Sequence, residues 1–243
     1  MQQAVVVFQL GAAVVVAALL LWRRVYRRLP LFVTYVAYSA LATAARLASL
    51  AHWPLYWKVY WITEAFDVAL ALAAVAHSFF LAFRGLFQVR WFRYLAPLAP
   101  ALVILHAAGK AWLRPPAAAG PWAPLIVGVE IAAQNLIAAS FLAYIALRRI
   151  LKLSYSNSNH EVMLGFAVNS FGMLAAVVFR SEYGTQFKNL ITWAPSIAYS
   201  CALLIWAKSA FHQPAGAAEA ALEPALALED LAQYEAVLKK AGR

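Results

Sequence analysis

The stretch AVVVFQLGAAVVVAALLLW at residues 4–22 is followed at once by Arg23, Arg24, Arg27 and Arg28. A bilayer span requires about 20 mostly apolar residues, and this stretch has that length. A cleaved signal peptide carries its positive charges before the apolar run and small residues after it. Here the start is uncharged and the charges follow. The stretch therefore predicts an uncleaved transmembrane helix whose N-terminus lies outside.

The composition extends this prediction to the rest of the chain. Of its 243 residues, 65% are hydrophobic and only 12% are charged. Soluble domains carry about 25% charged residues, so this chain cannot bury its apolar surface in one aqueous core. We predict an all-α, polytopic membrane helix bundle that has the lipid bilayer as its partner and solvent.

Seven apolar runs are long enough to span a bilayer. They cover residues 4–22, 31–51, 59–83, 94–112, 122–147, 162–180 and 190–208. The 94–112 run contains Pro97 and Pro100, so its helix is predicted to be kinked. We therefore predict seven transmembrane helices.

Lysine and arginine are distributed unevenly between the loops. One set of alternate loops carries Arg23, Arg24, Arg27, Arg28, Arg84, Arg90, Arg93, Arg148, Arg149 and Lys152. The other set carries Lys58, Lys110, Arg114 and Lys188. Because cytoplasmic loops are enriched in basic residues, the N-terminus is predicted outside and the C-terminus in the cytoplasm. The net charge is +10. Most of the lysines and arginines flank the spans and form no continuous basic face, so no nucleic acid is expected as a partner.

The chain changes character after residue 211. We predict a transmembrane domain at 1–211, an Ala/Pro/Gly linker at 212–221 and a cytoplasmic amphipathic tail helix at 222–243. The linker and tail hold half of the ten acidic residues, namely Glu219, Glu223, Glu229, Asp230 and Glu235. Such a tail is too short and too charged to cross a bilayer. It is expected to lie on the membrane, to pack on the loops, to pair with a second copy or a cytoplasmic protein, or to stay solvated.

Polar side chains within the predicted spans concentrate in the outer half. They are Arg46, Glu64, Asp67, Glu130, Gln134, Ser196 and Tyr199. At about 1.5 Å of rise per residue, most of them lie about 9–15 Å from the outer ends. Intramembrane charges face a protein interior or a water-filled cavity, so we predict a pocket for a small molecule or an ion. The alternative is a set of buried pairs that fix helix packing.

The same spacing predicts which faces pack. A small or polar stripe on one side of the third span consists of Glu64, Asp67, Ala71, Ala74 and Ser78. Arg46 is expected to pair with Glu64 or Asp67, because an isolated buried charge is more costly. Gly165 and Gly172 are expected to permit close helix approach, and Cys201 is expected to be buried. The inner half is expected to be nearly featureless.

The motifs of common enzymes and cofactor proteins do not occur. The sequence has no phosphate-binding glycine loop, nucleophile elbow or cysteine cluster. Its five histidines are divided between the two sides of the membrane, which argues against haem or zinc. The last span has Lys208 only at its end, which argues against retinal. No catalytic residue, metal or cofactor is predicted.

Three segments carry a resemblance to known proteins. YWITEA at 60–65, the stretch that ends at Gly165-Phe166, and AYSCALLIW at 198–206 resemble an uncharacterised family of bacterial seven-helix membrane proteins. This resemblance implies that the protein lies in the bacterial cytoplasmic (inner) membrane. More loosely, the architecture is similar to the seven-helix sensor modules of bacterial signalling proteins. Those modules continue into a kinase or cyclase domain, so the resemblance implies an output through a separate partner.

The leading hypothesis is a non-enzymatic seven-helix sensor or ligand-binding protein whose site lies in the outer half of the bundle. Two alternatives remain open. One is a transporter or proton-linked channel, since titratable groups lie at several depths. The other is a structural or accessory subunit of a larger membrane assembly.

Overall fold

The computed structural model describes residues 2–88, 93–94, 98, 101–102, 105, 109, 123–150, 157–183 and 188–211. The long helices within these residues are α1 (Gln2–Trp22), α2 (Pro30–Ser49), α3 (Trp53–Ala82), α4 (Ala123–Ile150), α5 (Asn157–Tyr183) and α6 (Lys188–Ser209). Short 3-10 turns lie at Val25–Arg27 and Leu86–Gln88. Most of the predicted 94–112 span, and all of the predicted linker and tail helix, lie outside the described residues.

Two helices begin earlier than hydropathy predicts. Helix α3 begins at Trp53 instead of residue 59, with a proline in its first turn. Proline suits that position because its missing N–H has no partner there in any helix. Helix α5 begins at Asn157 instead of residue 162. In both cases the first turns contain polar residues, which lower the hydropathy without breaking the helix.

Five of the helices, α1 to α5, are long and apolar enough to cross a membrane. Large apolar side chains are exposed on the outward faces of five helices, and examples are Phe8, Leu41, Ile62, Leu142 and Leu204. On a soluble protein so much exposed apolar surface would cause association. In a lipid bilayer these apolar faces are covered by lipid and do not cause association. We conclude that they contact lipid and that the protein is a multi-pass membrane protein.

The helices form a closed ring. Each helix packs on its neighbours in the order α1 to α6, α6 returns to α1, and α3 also contacts α5. The most extensive of these helix–helix contacts is between α5 and α6. We call the end of the ring that carries Arg23, Arg84, Arg149 and Lys208 the basic end. The predicted polar residues lie toward the opposite end.

Four aromatic side chains form the centre of the core. Phe32 and Tyr35 of α2 contact Phe166 of α5 and Trp206 of α6, with ring centroids 4.9–6.2 Å apart. Trp206 also donates a hydrogen bond of 3.3 Å from Nε1 to the carbonyl of Val162. Burying the indole therefore leaves its N–H satisfied.

The stripe predicted along α3 is confirmed. Ala71, Ala74 and Ser78 are buried, whereas Phe66 and Phe80 are exposed on other faces of the helix. Small residues allow neighbouring helices to approach this face closely. The stripe thus turns α3, with its acidic residues, toward the inside of the ring.

The predicted role of the two glycines of α5 is also confirmed. A Cβ atom added to Gly165 would overlap the Trp206 indole, and one added to Gly172 would overlap Cβ of Ala198. These positions let α5 and α6 pack at a distance that a larger residue would prevent.

Cys201 is exposed, so the prediction that it is buried is wrong. The packed face of α6 contains Ala198, Ala202 and Trp206, at intervals of four residues. Cys201 follows Ile197 and precedes Leu204 on the exposed face. Hydropathy cannot separate these two faces, because both are apolar.

The prediction of a nearly featureless inner half is also wrong. At the basic end, Arg148 and Glu161 are buried, and Nζ of Lys208 lies 2.9 Å from Oε1 of Glu161. Arg148 donates a hydrogen bond of 2.6 Å to the Tyr144 hydroxyl. The His160 ring stacks on Tyr144 with centroids 6.0 Å apart. These contacts join α4, α5 and α6.

Candidate functional site

Arg46 of α2 and Glu64 of α3 form an ion pair between neighbouring helices. Nη2 of Arg46 lies 2.9 Å from Oε2 of Glu64, with side-chain exposures of 24% and 12%. The guanidinium also lies over the Tyr60 ring, 4.9 Å from its centroid. This geometry confirms the expected pairing of Arg46 and identifies Glu64 as its partner.

Thr63 fixes the orientation of the guanidinium. Its hydroxyl accepts a hydrogen bond of 2.7 Å from Nε of Arg46 and donates one of 2.7 Å to the carbonyl of Val59. The Tyr38 hydroxyl donates to the carbonyl of Thr63 at 3.1 Å. Because the hydroxyl is held by its own helix, Arg46 binds a preformed acceptor.

Asp67 lies one helical turn further along α3. It interacts electrostatically with Glu64 and Arg46 and with Tyr38 and Tyr199. Within the described residues its carboxylate has neither a hydrogen-bond donor nor an ion-pair partner. An intramembrane carboxylate without such partners is unfavourable and is characteristic of functional positions.

Glu130 adds a residue from a third helix to the group formed by Arg46, Glu64 and Asp67. It belongs to α4 and interacts electrostatically with Glu64, Asp67 and Arg46. Three carboxyl groups from α3 and α4 therefore lie within electrostatic range of one guanidinium, and one of them, that of Glu64, is in direct contact with it. We call Arg46, Glu64, Asp67 and Glu130 the acidic cluster.

Tyrosines surround the acidic cluster. The hydroxyl of Tyr199, from α6, lies 3.0 Å from Oγ of Ser39 on α2. Tyr35 interacts electrostatically with Asp67, Tyr199 and Glu64. With Tyr38 and Tyr60, these residues supply aromatic rings and hydroxyl groups from α2, α3 and α6.

Two predicted site residues lie apart from this cluster. Gln134 accepts a hydrogen bond of 2.7 Å from the Ser170 hydroxyl, which joins α4 to α5. The carbonyl of Ser196 accepts a hydrogen bond of 2.8 Å from the Gln9 side chain, which joins α6 to α1. Both contacts serve helix packing.

Sequence reasoning missed Tyr38, Tyr60 and Thr63. A signal for two of them was available, because Tyr60 precedes Glu64 by four residues and Thr63 precedes Asp67 by four, and residues four apart share a helix face. That spacing does not predict that Thr63 acts through both its hydroxyl and its carbonyl. Tyr38 approaches from another helix, and its contact depends on the packing of α2 on α3.

The arrangement defines a multi-pass α-helical membrane protein in which three carboxyl groups and one guanidinium lie between α2, α3 and α4. The sequence matches no protein-family model, and no curated protein or solved structure shows significant similarity to it.

Proposed function

We propose that this protein is a non-enzymatic membrane sensor that binds a small organic cation in the acidic cluster. In this proposal it has seven transmembrane helices, and its N-terminus faces the outside of a bacterial inner membrane. Ligand binding shifts the packing of α2, α3 and α4, and a separate partner on the cytoplasmic side receives the signal. Such a shift requires that the ligand bind two states of the bundle with different affinity.

The charge imbalance of the cluster carries this proposal. Arg46 neutralises Glu64 at 2.9 Å, but Asp67 and Glu130 have no cationic partner among the described residues. Uncompensated charge within a membrane is expensive. A bound monovalent cation lowers that cost, because it supplies one of the two positive charges that the cluster lacks.

The tyrosines favour an organic cation over an inorganic one. Cations bind to aromatic faces, and alkylammonium groups are recognised in this way. The Tyr60 ring already holds one cation, the Arg46 guanidinium. Tyr35, Tyr38 and Tyr199 lie close enough to Asp67 to interact with it electrostatically. A ligand amine at Asp67 would therefore be near aromatic rings.

Calorimetry on protein in lipid nanodiscs tests the proposal, with tetramethylammonium and phenethylammonium as probes and sodium as the reference. We expect Asp67→Asn and Glu130→Gln each to weaken binding of the organic cations at least tenfold. Ser196→Ala is the matched control, because Ser196 lies within the membrane but outside the cluster. Unchanged affinity in both carboxylate variants, with melting temperatures like the parent, would contradict the assignment.

A second candidate function is proton-linked transport. His77 and Ser78 lie between Asp67 and the basic end on α3, and His77 Nδ1 and Ser78 Oγ are buried without partners among the described residues. Buried polar atoms of this kind are often satisfied by water, and water could extend a proton path from Asp67. Proteoliposome flux of the same cations, with and without a pH gradient, separates the two functions. Gradient-driven uptake that His77→Leu and Ser78→Ala abolish favours transport, whereas binding without flux favours the sensor.

A further inference from the structure

Four exposed arginines lie in the turn between α1 and α2 at the basic end. They are Arg23, Arg24, Arg27 and Arg28, and we call them the arginine turn. Within the described residues none of these four arginines forms an ion pair with an acidic side chain. Four adjacent unpaired cations form a strong binding surface for an anionic group.

The backbone of this turn favours glycine but contains arginine. Arg24 has a φ of 56° and a ψ of 29°, in the left-handed region where residues with a Cβ are uncommon. Its N–H bonds to the carbonyl of Leu21 at 3.0 Å, as in the usual glycine-containing helix end. An arginine therefore occupies a position where glycine would be less strained.

The chain leaves the bundle beside this surface. Phe211 is the last described residue, and the Arg23 guanidinium lies 5.4 Å from the centroid of its ring. The N–H of Phe211 bonds to the carbonyl of Lys208 at 3.0 Å, so its place relative to α6 is fixed. Whatever follows Phe211 begins next to the arginine turn.

The sequence that follows is acidic. Glu219, Glu223, Glu229, Asp230 and Glu235 make up half of the ten acidic residues in the chain. The other acidic residues serve elsewhere. Glu161 is paired with Lys208, the acidic cluster holds three more, and Glu182 belongs to the last turns of α5 at the opposite end of the ring.

We infer that the acidic segment 219–235 binds the arginine turn of the same chain. The distance is short enough, because the residues from Phe211 to Glu219 reach at most about 28 Å and span about 16 Å on average when flexible. Single exposed ion pairs are weak, but a tether raises the effective concentration of the segment to the millimolar range. Five acidic residues against four arginines then form a network.

This contact covers the surface that a cytoplasmic partner or an anionic lipid would otherwise bind. The arginine turn contacts α1 and α2 directly, and α2 supplies Arg46. Release of the segment would therefore expose a surface attached to a helix of the acidic cluster. The inference does not depend on what that cluster binds.

Distance measurements between two spin labels test the contact in the full chain. The labels are placed by Tyr26→Cys and Ala232→Cys in a Cys201→Ser background, in phosphatidylcholine nanodiscs. We expect a short, narrow distance distribution at low salt that broadens in 1 M salt, where the Debye length falls to about 3 Å. Neutralising Arg24, Arg27 and Arg28 to Gln should remove the short distance, as should neutralising the five acidic residues. Lys239→Gln with Lys240→Gln, which leaves both partners intact, should preserve it.

An identical distribution in the parent and both neutralised variants, with unchanged melting temperatures, would overturn the inference. Anionic lipid is the competing occupant of the arginines. Repeating the measurement in nanodiscs with phosphatidylglycerol separates the two. Persistence of the short distance supports the segment, and its loss assigns the arginine turn to lipid headgroups and overturns the inference for native membranes.

Discussion

The Arg46 guanidinium binds Glu64 at 2.9 Å, although Asp67 lies only one turn further along the same helix. The choice follows from Thr63, whose hydroxyl accepts the second guanidinium N–H at 2.7 Å. A guanidinium presents its donors in a fixed plane, so the acceptor at Thr63 directs the remaining donors to Glu64. Two similar carboxyl groups thus have different surroundings, and Asp67 is left without an ion-pair partner among the described residues.

Replacing Arg46 with Gln should destabilise the bundle more than the same replacement of an exposed arginine. The exposures of 24% for Arg46 and 12% for Glu64 make this a partly buried pair, and removing one member leaves an uncompensated charge that costs up to about 3 kcal/mol. Glu64→Gln in the same chain should recover most of this loss, since it removes that charge. The measurement is the free energy of unfolding in lipid for the two single variants and the double variant. Arg27→Gln is the control, and a loss for Arg46→Gln no larger than for this control would show that the pair is not stabilising.

Gly165→Ala should disrupt the packing of α5 on α6. The added Cβ would overlap the Trp206 indole, and Trp206 is fully buried, so it has no space to move into. Overpacking of this kind costs about 1–3 kcal/mol. Gly11→Ala is the matched control, because a Cβ there meets nothing within 4 Å and alanine favours the helix. Thermal unfolding should show a lower melting temperature for the first variant and an equal or higher one for the second.

The helices follow largely from the sequence, because a bilayer forces backbone hydrogen bonds into helices and apolar length defines a span. Their starts follow less well, since the first turns of α3 are rich in aromatic residues and include Lys58, and those of α5 are polar. The assignment of faces depends on residue size more than hydropathy. The stripe of small residues on α3 was therefore predictable, whereas the exposure of Cys201 on α6 was not.

The candidate site is predictable only in part. Charge inside a membrane is rare enough to identify Arg46, Glu64, Asp67 and Glu130 from sequence alone. Amide and hydroxyl groups within a span are less informative about a ligand site, because they also form hydrogen bonds between helices. Gln134 does so with Ser170. The burial of Glu161 at the basic end was not predicted, because a carboxylate near the start of a helix is ordinarily exposed to solvent.

Replacing two adjacent residues of α6 with a larger one should affect stability to different extents. Cys201 is exposed and Ala202 is fully buried. Cys201→Leu should change the free energy of unfolding by less than about 0.5 kcal/mol, because leucine at a lipid-facing position meets no neighbour. Ala202→Leu should cost at least about 1–3 kcal/mol. Equal melting temperatures for the two variants in nanodiscs would show that the packed face of α6 has been misassigned.

The contact between Ser170 and Gln134 should be worth little to stability. The Ser170 hydroxyl is fully buried and donates at 2.7 Å to the Gln134 side chain. Hydrogen bonds between membrane helices contribute about 0.6 kcal/mol on average, because the separated helices find other partners. A double-mutant cycle with Ser170→Ala and Gln134→Leu measures the coupling directly. A coupling of that size assigns Gln134 to helix packing. Strong coupling together with weaker cation binding in Gln134→Leu would instead return this residue to the ligand site and extend the acidic cluster toward α5.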